Sequence, residues 1–386
     1  IRLTIDSDLE AFRTEGFTAD GAGWGHGRQC LIWGYPVHGA DSALWILDSL
    51  NDSPWAQSLS RLNVEALMNF VRGSSWHYFN GFVPPCFGRA NMVYGGLAPE
   101  TIPSLNLVER MLANRGDSFS SAERDELRAF ISEARYNQIR MPGYPYGDYT
   151  GSRYFYNNDN LMVKNEDFYF LISMASVRCD GIESAPGFNF YTCDGQTLFL
   201  RRGDEARRAL GGLNLTAFPG VTARQGEDRL SPVTNWRGYC SKHNFSAAAT
   251  RGRENACAGF IFEKLNALTK KNVNDRTGSD NTNRVIYGVK AHKSWFVFGD
   301  TMLALGAGIS NLDTKQKGDI WTTVEQTLWD SPVVSRNWKF DHDGATHQYR
   351  LPSGDRIPWV KQKNGFAYAV LPGQTRGEVL FLAERL

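Results

Sequence analysis

The chain has 386 residues, a formal net charge of +1, 42% hydrophobic and 22% charged residues. This is the balance of an ordinary globular protein long enough for two domains with proper cores. A polyanion-binding protein need not be basic overall, and a near-zero net charge supports no argument from global charge; no nucleic-acid partner is expected, and without a run of about 18 apolar residues no membrane span is expected.

The aromatic share stands out, with 11 Trp, 15 Tyr and 23 Phe. Aromatic rings are platforms for the apolar face of a pyranose, but large β-proteins also fill their cores with them. Basic runs such as Arg201-Arg202, Arg207-Arg208 and Lys270-Lys271 are read as solvated faces. Ile1-Arg2-Leu3-Thr4 has no basic region followed by an apolar one, so no signal peptide is read there, and the absent Met suggests a processed product.

The first part of the chain is helical in pattern. Leu59, Leu62, Ala66 and Phe70 repeat at helix spacing. Pro103 is placed to open a helix through Leu105, Val108, Met111 and Leu112. Ser120 followed by Glu123 makes a capping box ahead of Leu127, Phe130, Ile131 and Ala134. Between these helices run long segments rich in Gly, Trp and Pro, from Gly21 to Pro36 and from Gly81 to Gly96. Loops on a helical scaffold are where sites are built. Gly21, Gly23, Gly25 and Gly27 lack the spacing and the strand–turn–helix context of a dinucleotide loop.

Near Met141 the character changes. A Pro/Gly/Tyr linker, Met141 to Gly151, precedes strand-like segments at Phe168–Ser176, Thr197–Arg201, Ala258–Phe262, Ser294–Phe298, Met302–Leu305 and Glu378–Ala383. Turn residues separate them at short intervals, as in a large antiparallel sandwich. Asp341-His-Asp-Gly-Ala-Thr-His347 carries metal-ligand residue types but reads as a solvated turn, and no metal or cofactor is expected.

Several segments, in order, resemble the family-eight polysaccharide lyases, which include chondroitin AC, chondroitin ABC, hyaluronate and xanthan lyases. Asp20 to Tyr35 is similar to the family's loop carrying a His and a Tyr, here His26 and Tyr35. Phe87-Gly88-Arg89 resembles its Gly-Arg element, and Ser176 to Gly195 the strand and turn that carry its catalytic Glu, here Glu183. Phe218-Pro-Gly-Val-Thr222, Asn235-Trp236-Arg237-Gly238 and the strands from Lys293 to Glu325 follow in family order. The chain departs from the chondroitin AC type at Val93, where that type has a second Arg, and at Pro186, where the family has an Asn. The family's toroid is about twice as long as the helical part here, and an Asn that contacts the substrate carboxylate belongs to the other half. The resemblance therefore leaves room for a further segment or chain to complete the toroid.

Pattern and resemblance together give an α+β fold: an incomplete α/α toroid with the catalytic loops over residues 1–145, then a large antiparallel β-sandwich over residues 160–386. The implied activity is β-elimination on an acidic, uronate-containing polysaccharide, with a secreted or periplasmic location. The C5 proton of a uronate is very weakly acidic while its carboxylate is charged, so the carboxylate must be neutralised, a base must take the proton and an acid must protonate the leaving oxygen. Tyr35 is the candidate for both proton transfers. A phenol has a pKa of about 10, so a nearby cation is needed, and Arg89 is the candidate, oriented by Glu183. His26 either hydrogen-bonds the carboxylate or shares in proton abstraction. Trp24, Trp33, Asn91 and Trp236 are the substrate-binding candidates.

Two other readings stand beside this one. One is a non-catalytic carbohydrate-binding relative of the same fold. The other is a glycoside hydrolase, which needs two facing carboxylates; the helical part offers Glu109, Glu123 and Asp125, at positions that look exposed. The six cysteines are expected to pair as Cys30–Cys86, Cys179–Cys193 and Cys240–Cys257. Cys179 and Cys193 end strand-like segments on either side of the Glu183 turn, Cys240 and Cys257 flank a turn-rich stretch, and Cys30 and Cys86 lie in two loops expected to meet at one site. The alternative is reduced, buried thiols.

Overall fold

The computed structural model describes residues 7–8, 16–25, 30–80, 82–87, 92–93, 96–97, 104–136, 150–179, 181, 190–203, 205, 212–231, 243–264, 284–336, 339–340, 347–351, 357–363, 365–371 and 379–383. Its N-terminal part begins with β1 (Ser7–Asp8), β2 (Gly16–Thr18) and β3 (Gly23–Trp24), in which β1 and β2 are parallel and β2 and β3 antiparallel. Helices α1 (Tyr35–Ser49) and α2 (Arg61–Ser74) follow, then the short pair β4 (Met92–Val93) and β5 (Gly96–Leu97), then α3 (Leu105–Arg115) and α4 (Ser121–Tyr136).

Local chemistry accounts for where these helices start. Pro36 sits in the first turn of α1, where its missing N–H costs nothing and its fixed φ suits a helix. At α2, Ser60 Oγ accepts from the Asn63 N–H at 3.2 Å and Asn63 Oδ1 accepts from the Ser60 N–H at 3.2 Å. The box expected at α4 is formed: Ser120 N–H donates to Glu123 at 2.8 Å and Glu123 N–H to Ser120 Oγ at 3.3 Å. Arg61 then donates twice to the same Glu123, at 2.7 and 3.2 Å, joining the starts of α2 and α4. One residue of the expected apolar stripe is misplaced. Leu62 is 69% exposed, and the buried face of α2 is Val64, Leu67, Met68, Phe70 and Val71.

From Gly151 onward the regular elements among the described residues are almost all strands. β6 (Gly151–Phe155), β7 (Asn160–Lys164), β8 (Tyr169–Ser173) and β9 (Gln196–Leu200) form an antiparallel sheet in sequence order. After β10 (Thr222–Arg224), a second antiparallel sheet runs β11 (Ser246–Arg251), β12 (Asn255–Glu263), β13 (Val289–Phe298), β14 (Thr301–Asn311), and β15 (Ile320–Thr322) returns to pair with β10. The last strands are β16 (Val333–Val334), β17 (Lys339–Phe340), β18 (His347–Leu351), β19 (Trp359–Gln362), β20 (Ala367–Ala369) and β21 (Val379–Ala383), with β17-β16-β19-β20 in one sheet and β18 with β21 in another.

The β6–β9 sheet is a middle layer, and its side chains alternate between two cores. Met162, Tyr169, Leu171, Leu198 and Leu200 face the helices. Leu161, Val163, Phe170 and Ile172 face the second sheet, against Phe260, Phe262, Trp295 and Val297. With both faces covered, β7 and β8 are buried at every residue, so their sequences read as continuous apolar runs rather than as an alternation.

Helices and middle sheet are joined by polar groups as well as by packing. Lys164 Nζ, buried, donates to the carbonyls of Ser75 at 2.7 Å and Tyr78 at 3.2 Å, where the end of α2 leaves acceptors unpaired. Glu133 lies 4.0 Å from it. Burial pushes the Lys164 ammonium down and the Glu133 carboxyl up. Tyr169 adds a hydroxyl donated to the Trp76 carbonyl at 3.0 Å.

Candidate active site

Tyr35 is the first residue of α1, with 40% of its surface exposed. The glycines before it permit close packing instead of binding phosphate. A Cβ on Gly25 would stand 3.3 Å from Pro36 Cδ and 3.5 Å from Tyr35 Cβ, and one on Gly23 would meet the Ile32 carbonyl oxygen at 2.4 Å. Strand β3 and its continuation thus lie against the Tyr35-Pro36 turn. Gly21, at φ +88°, is in turn crossed by α2, because a Cβ on Gly73 would stand 1.8 Å from the Gly21 oxygen.

Trp24 and Trp33, expected to bind substrate, do not offer a ring to it. Trp24 is 0% exposed, and Trp33 is 5% exposed with its ring edge-on to His77 and Phe87. An indole is the largest apolar volume available, and in this packed loop it fills the core. His77 is the core histidine of the group. It donates from Nδ1 to the Gly73 carbonyl at 2.9 Å, and burial pushes its pKa down to about 3, so it is neutral.

His26, Arg89, Asn91, Glu183 and Trp236 lie outside the described residues. The chain beside three of them is described and converges. Cys30 follows His26 by four residues, Cys86 precedes Arg89 by three and Cys179 precedes Glu183 by four. These three thiols, with Cys193, share one hydrophobic core. The Cys30 thiol interacts with the side chains of Cys179 and Cys193. The Trp33 N–H also donates to the Phe87 carbonyl at 3.3 Å.

The expected disulfides are absent among the described residues. Cys30, Cys86, Cys179, Cys193 and Cys257 are thiols, and Cys240 lies outside the described residues. The expected pairing missed the way Cys30 meets Cys179 and Cys193 across the layer boundary. The hydrogen bond with Cys179 and burial hold the Cys30 thiol well above its usual range, and burial does the same for Cys86.

A buried polar latch, not anticipated from the sequence, fixes the Tyr35 loop to the middle sheet. The turn between β6 and β7, Asn157-Asn158-Asp159, enters the N-terminal layer. Asn157 N–H donates to Asp20 at 3.0 Å, Asn158 Nδ2 to the Gly23 carbonyl at 3.2 Å, and Arg153 to the Asp20 carbonyl at 2.6 Å. Asn160 Nδ2 donates to Cys30 Sγ at 3.5 Å. Asp159, at φ 54°, accepts from Ser176 Oγ at 2.7 Å, Tyr154 at 3.1 Å and Arg178 at 3.1 Å, which anchors the start of the segment leading to Glu183. Burial raises the Asp159 carboxyl to about 6. The signal available in the sequence was four consecutive amide or carboxylate residues, Asn157 to Asn160, ahead of an apolar strand.

The helical carboxylates do not form a facing pair. Glu109 is bridged to Arg135 at 2.6 Å, Asp125 to Arg128 at 2.6 Å and Glu123 to Arg61 at 2.7 Å. Arg61 holds the Glu123 carboxyl down at about 2. His243, for which the sequence named no partner, contacts Glu263 at 2.7 Å. Among the described residues, no group of three or more His, Cys, Asp or Glu side chains could hold a metal ion, and no helix is long and apolar enough to cross a membrane.

Residues 150–381, more than half of the chain, match the family model for the super-sandwich domain of polysaccharide lyase family 8. The chain is 24% identical over 333 residues to a chondroitinase-AC of Pedobacter heparinus, an alignment covering 83% of this chain and 41% of that protein. Its fold is similar to that of a chondroitinase AC lyase solved in oligosaccharide complexes, with a TM-score of 0.65, 20% identity and coverage of 90% of this chain and 47% of the other. A Paenibacillus xanthan lyase gives 0.65 at 14% identity, covering 90% and 33%. The Streptomyces coelicolor A3 chondroitin AC lyase, solved with chondroitin sulphate, gives 0.62 at 18% identity, covering 93% and 52%. The chain thus spans about half, or less, of the length of the relatives it matches.

Proposed function

We propose, from the premise that the chain belongs to polysaccharide lyase family 8, that it cleaves a uronate-containing acidic polysaccharide of the chondroitin or hyaluronan type by β-elimination. The observation that carries this reading is the exposed phenol of Tyr35 at the start of α1, with the loop before it bonded from Trp33 N–H to the Phe87 carbonyl, two residues before Arg89 in the sequence. In the reaction, Tyr35 as phenolate takes the C5 proton. The C5–H electron pair forms the C4–C5 double bond, the C4–O bond breaks with its pair on the glycosidic oxygen, and the Tyr35 hydroxyl returns the proton to that oxygen. Arg89 favours the phenolate and Glu183 orients Arg89. His26 serves either as a hydrogen-bond partner of the carboxylate or as a sharer in proton abstraction. A further segment completes the toroid and supplies the Asn that the resemblance places there, and the enzyme acts outside the cytoplasm, as a secreted or periplasmic protein. The ion-paired helical carboxylates speak against a hydrolase.

The chain incubated with chondroitin sulphate, hyaluronan or xanthan is expected to generate the ultraviolet absorbance of an unsaturated uronate with at least one of them. Polymer binding without absorbance for all three would replace this reading with a carbohydrate-binding relative, which the departures at Val93 and Pro186 favour.

A further inference from the structure

The second sheet fastens the chain on both sides of Glu183. On the near side, the Val177 N–H donates to the His243 carbonyl at 3.0 Å, and Arg178 Nη2 to the carbonyl of Ser246, the first residue of β11, at 2.8 Å. The His243 ring contacts Glu263, the last residue of β12, at 2.7 Å. On the far side, the next residue, Lys264, turns its ammonium inward. Lys264 is 3% exposed and donates to the Phe190 carbonyl and to the Asp194 carboxylate. The same ammonium stands 4.7 Å from the centre of the Tyr191 ring. Its own backbone is fixed: Lys264 N–H donates to the Val289 carbonyl at 3.2 Å, and Gly288 N–H to the Lys264 carbonyl at 3.4 Å. Asp194 N–H donates to the Tyr191 carbonyl at 3.2 Å. Between Arg178 and Phe190 the sequence carries Glu183. Two adjacent residues at the end of one strand, Glu263 and Lys264, thus reach both ends of that segment.

We propose that Lys264 is a positioning residue for the elimination: by holding Phe190 and Asp194 it fixes where the segment carrying Glu183 rejoins the sheets. The proposal rests on the lyase reading of Glu183. A buried ammonium and carboxylate bring little net stability over an apolar pair of the same volume, so stability alone does not account for a lysine here. What the ammonium adds is direction. It carries three donors on one atom, and it aims them at a main-chain carbonyl and a carboxylate that lie on either side of Tyr191 in the sequence. An apolar side chain would fill the space without choosing between slightly shifted backbones. In the proposed reaction Glu183 acts on Arg89, so a displaced Glu183 slows proton transfer and leaves polymer binding in place.

The test compares two variants with the parent chain. Lys264→Met removes the ammonium and strands the Asp194 carboxylate. The paired variant, Lys264→Met with Asp194→Asn, removes both charges and leaves no buried ion uncompensated. In the paired variant, kcat on chondroitin sulphate is expected to fall roughly 10- to 100-fold, the effect of a misplaced catalytic group, with KM within about twofold of the parent. Hydrogen exchange over residues 179–189, read by mass spectrometry without substrate, is expected to quicken while β11 to β13 exchange as in the parent. A folded paired variant with kcat within about twofold of the parent, a loss carried by KM instead of kcat, unchanged exchange over 179–189, or exchange that quickens equally through β11 to β13 overturns the proposal. Lys264→Met is expected to show the same split, and if it does not fold the paired variant is decisive. A parent chain that turns over no polymer sinks the lyase reading by itself, and the exchange comparison then still decides whether Lys264 holds the segment.

Discussion

Trp33 donates its backbone N–H to the carbonyl oxygen of Phe87 at 3.3 Å. This bond ties the residues just before Tyr35 to those just before Arg89. Because its ends are main-chain atoms, the bond survives side-chain substitution nearby, and Tyr35 can be altered without releasing the loop.

Tyr35→Phe is therefore expected to fold like the parent and to lose at least 99% of turnover, roughly 3 kcal/mol or more of barrier. The ring stays and only a hydroxyl on a 40% exposed side chain is removed. Turnover above about a tenth of the parent in a variant with unchanged thermal melting would exclude Tyr35 as the base.

Gly73→Ala tests the packing behind that loop. A Cβ 1.8 Å from the Gly21 oxygen cannot be accommodated without moving α2 or the strand pair β2–β3. Overpacking of this kind costs roughly 1 to 3 kcal/mol. Denaturant titration is expected to show that loss, and an unchanged midpoint would mean that α2 does not cross Gly21 so closely.

Much of the scaffold was legible in the residues. The Ser120/Glu123 box and the short strands after the linker needed only local chemistry and turn spacing, and the structure has both. The loops that carry Cys30 and Cys86 were expected to meet, and Trp33 of one is bonded to Phe87 of the other. Helix α1 was hidden because Tyr35 closes a run of Gly and Trp that has no periodicity. Residue type alone could not tell whether Trp24 and Trp33 turn toward a cleft or a core. The Asn157–Asn160 latch reads as an ordinary turn until the opposite layer supplies Asp20, Gly23 and Cys30 as partners.

The latch carries a pH signature. Asp159 titrates from an ordinary 3.8 up to about 6 in the folded protein, because burial disfavours its charge. Between these values the folded state holds more protons than the unfolded state, so this group's contribution to stability is full below about pH 4 and falls as pH rises toward 6, by about 3 kcal/mol. His77, pushed down to about 3, acts in the opposite sense: the unfolded chain binds its proton first, and stability is lost as pH falls below about 6.5. The two partly cancel in the parent, so the comparison needed is with Asp159→Asn, which keeps His77. The stability difference, parent minus variant, is expected to decline from pH 4 to 6 and level off above. A pH-independent difference in urea titrations would mean that Asp159 does not titrate there.

The last prediction separates two tryptophans that looked alike in the sequence. Trp33 packs edge-on against His77 and Phe87 with 5% of its surface exposed, so Trp33→Ala opens a cavity in the core that carries the Tyr35 loop. Its cost is expected as stability, roughly 3 to 5 kcal/mol by chemical denaturation. Trp236 follows the Pro219-Gly220 turn and resembles an aromatic of the chondroitin AC cleft. Trp236→Ala is expected to leave the melting transition in place and to weaken binding of the polymer by roughly 1 to 3 kcal/mol, the range for a planar ligand stacked on an aromatic ring. Calorimetry of both variants with the same chondroitin oligosaccharide checks the pair. If Trp236→Ala lost stability and kept its affinity, the ring would belong to a core, and the sugar platform would have to be sought elsewhere along the cleft.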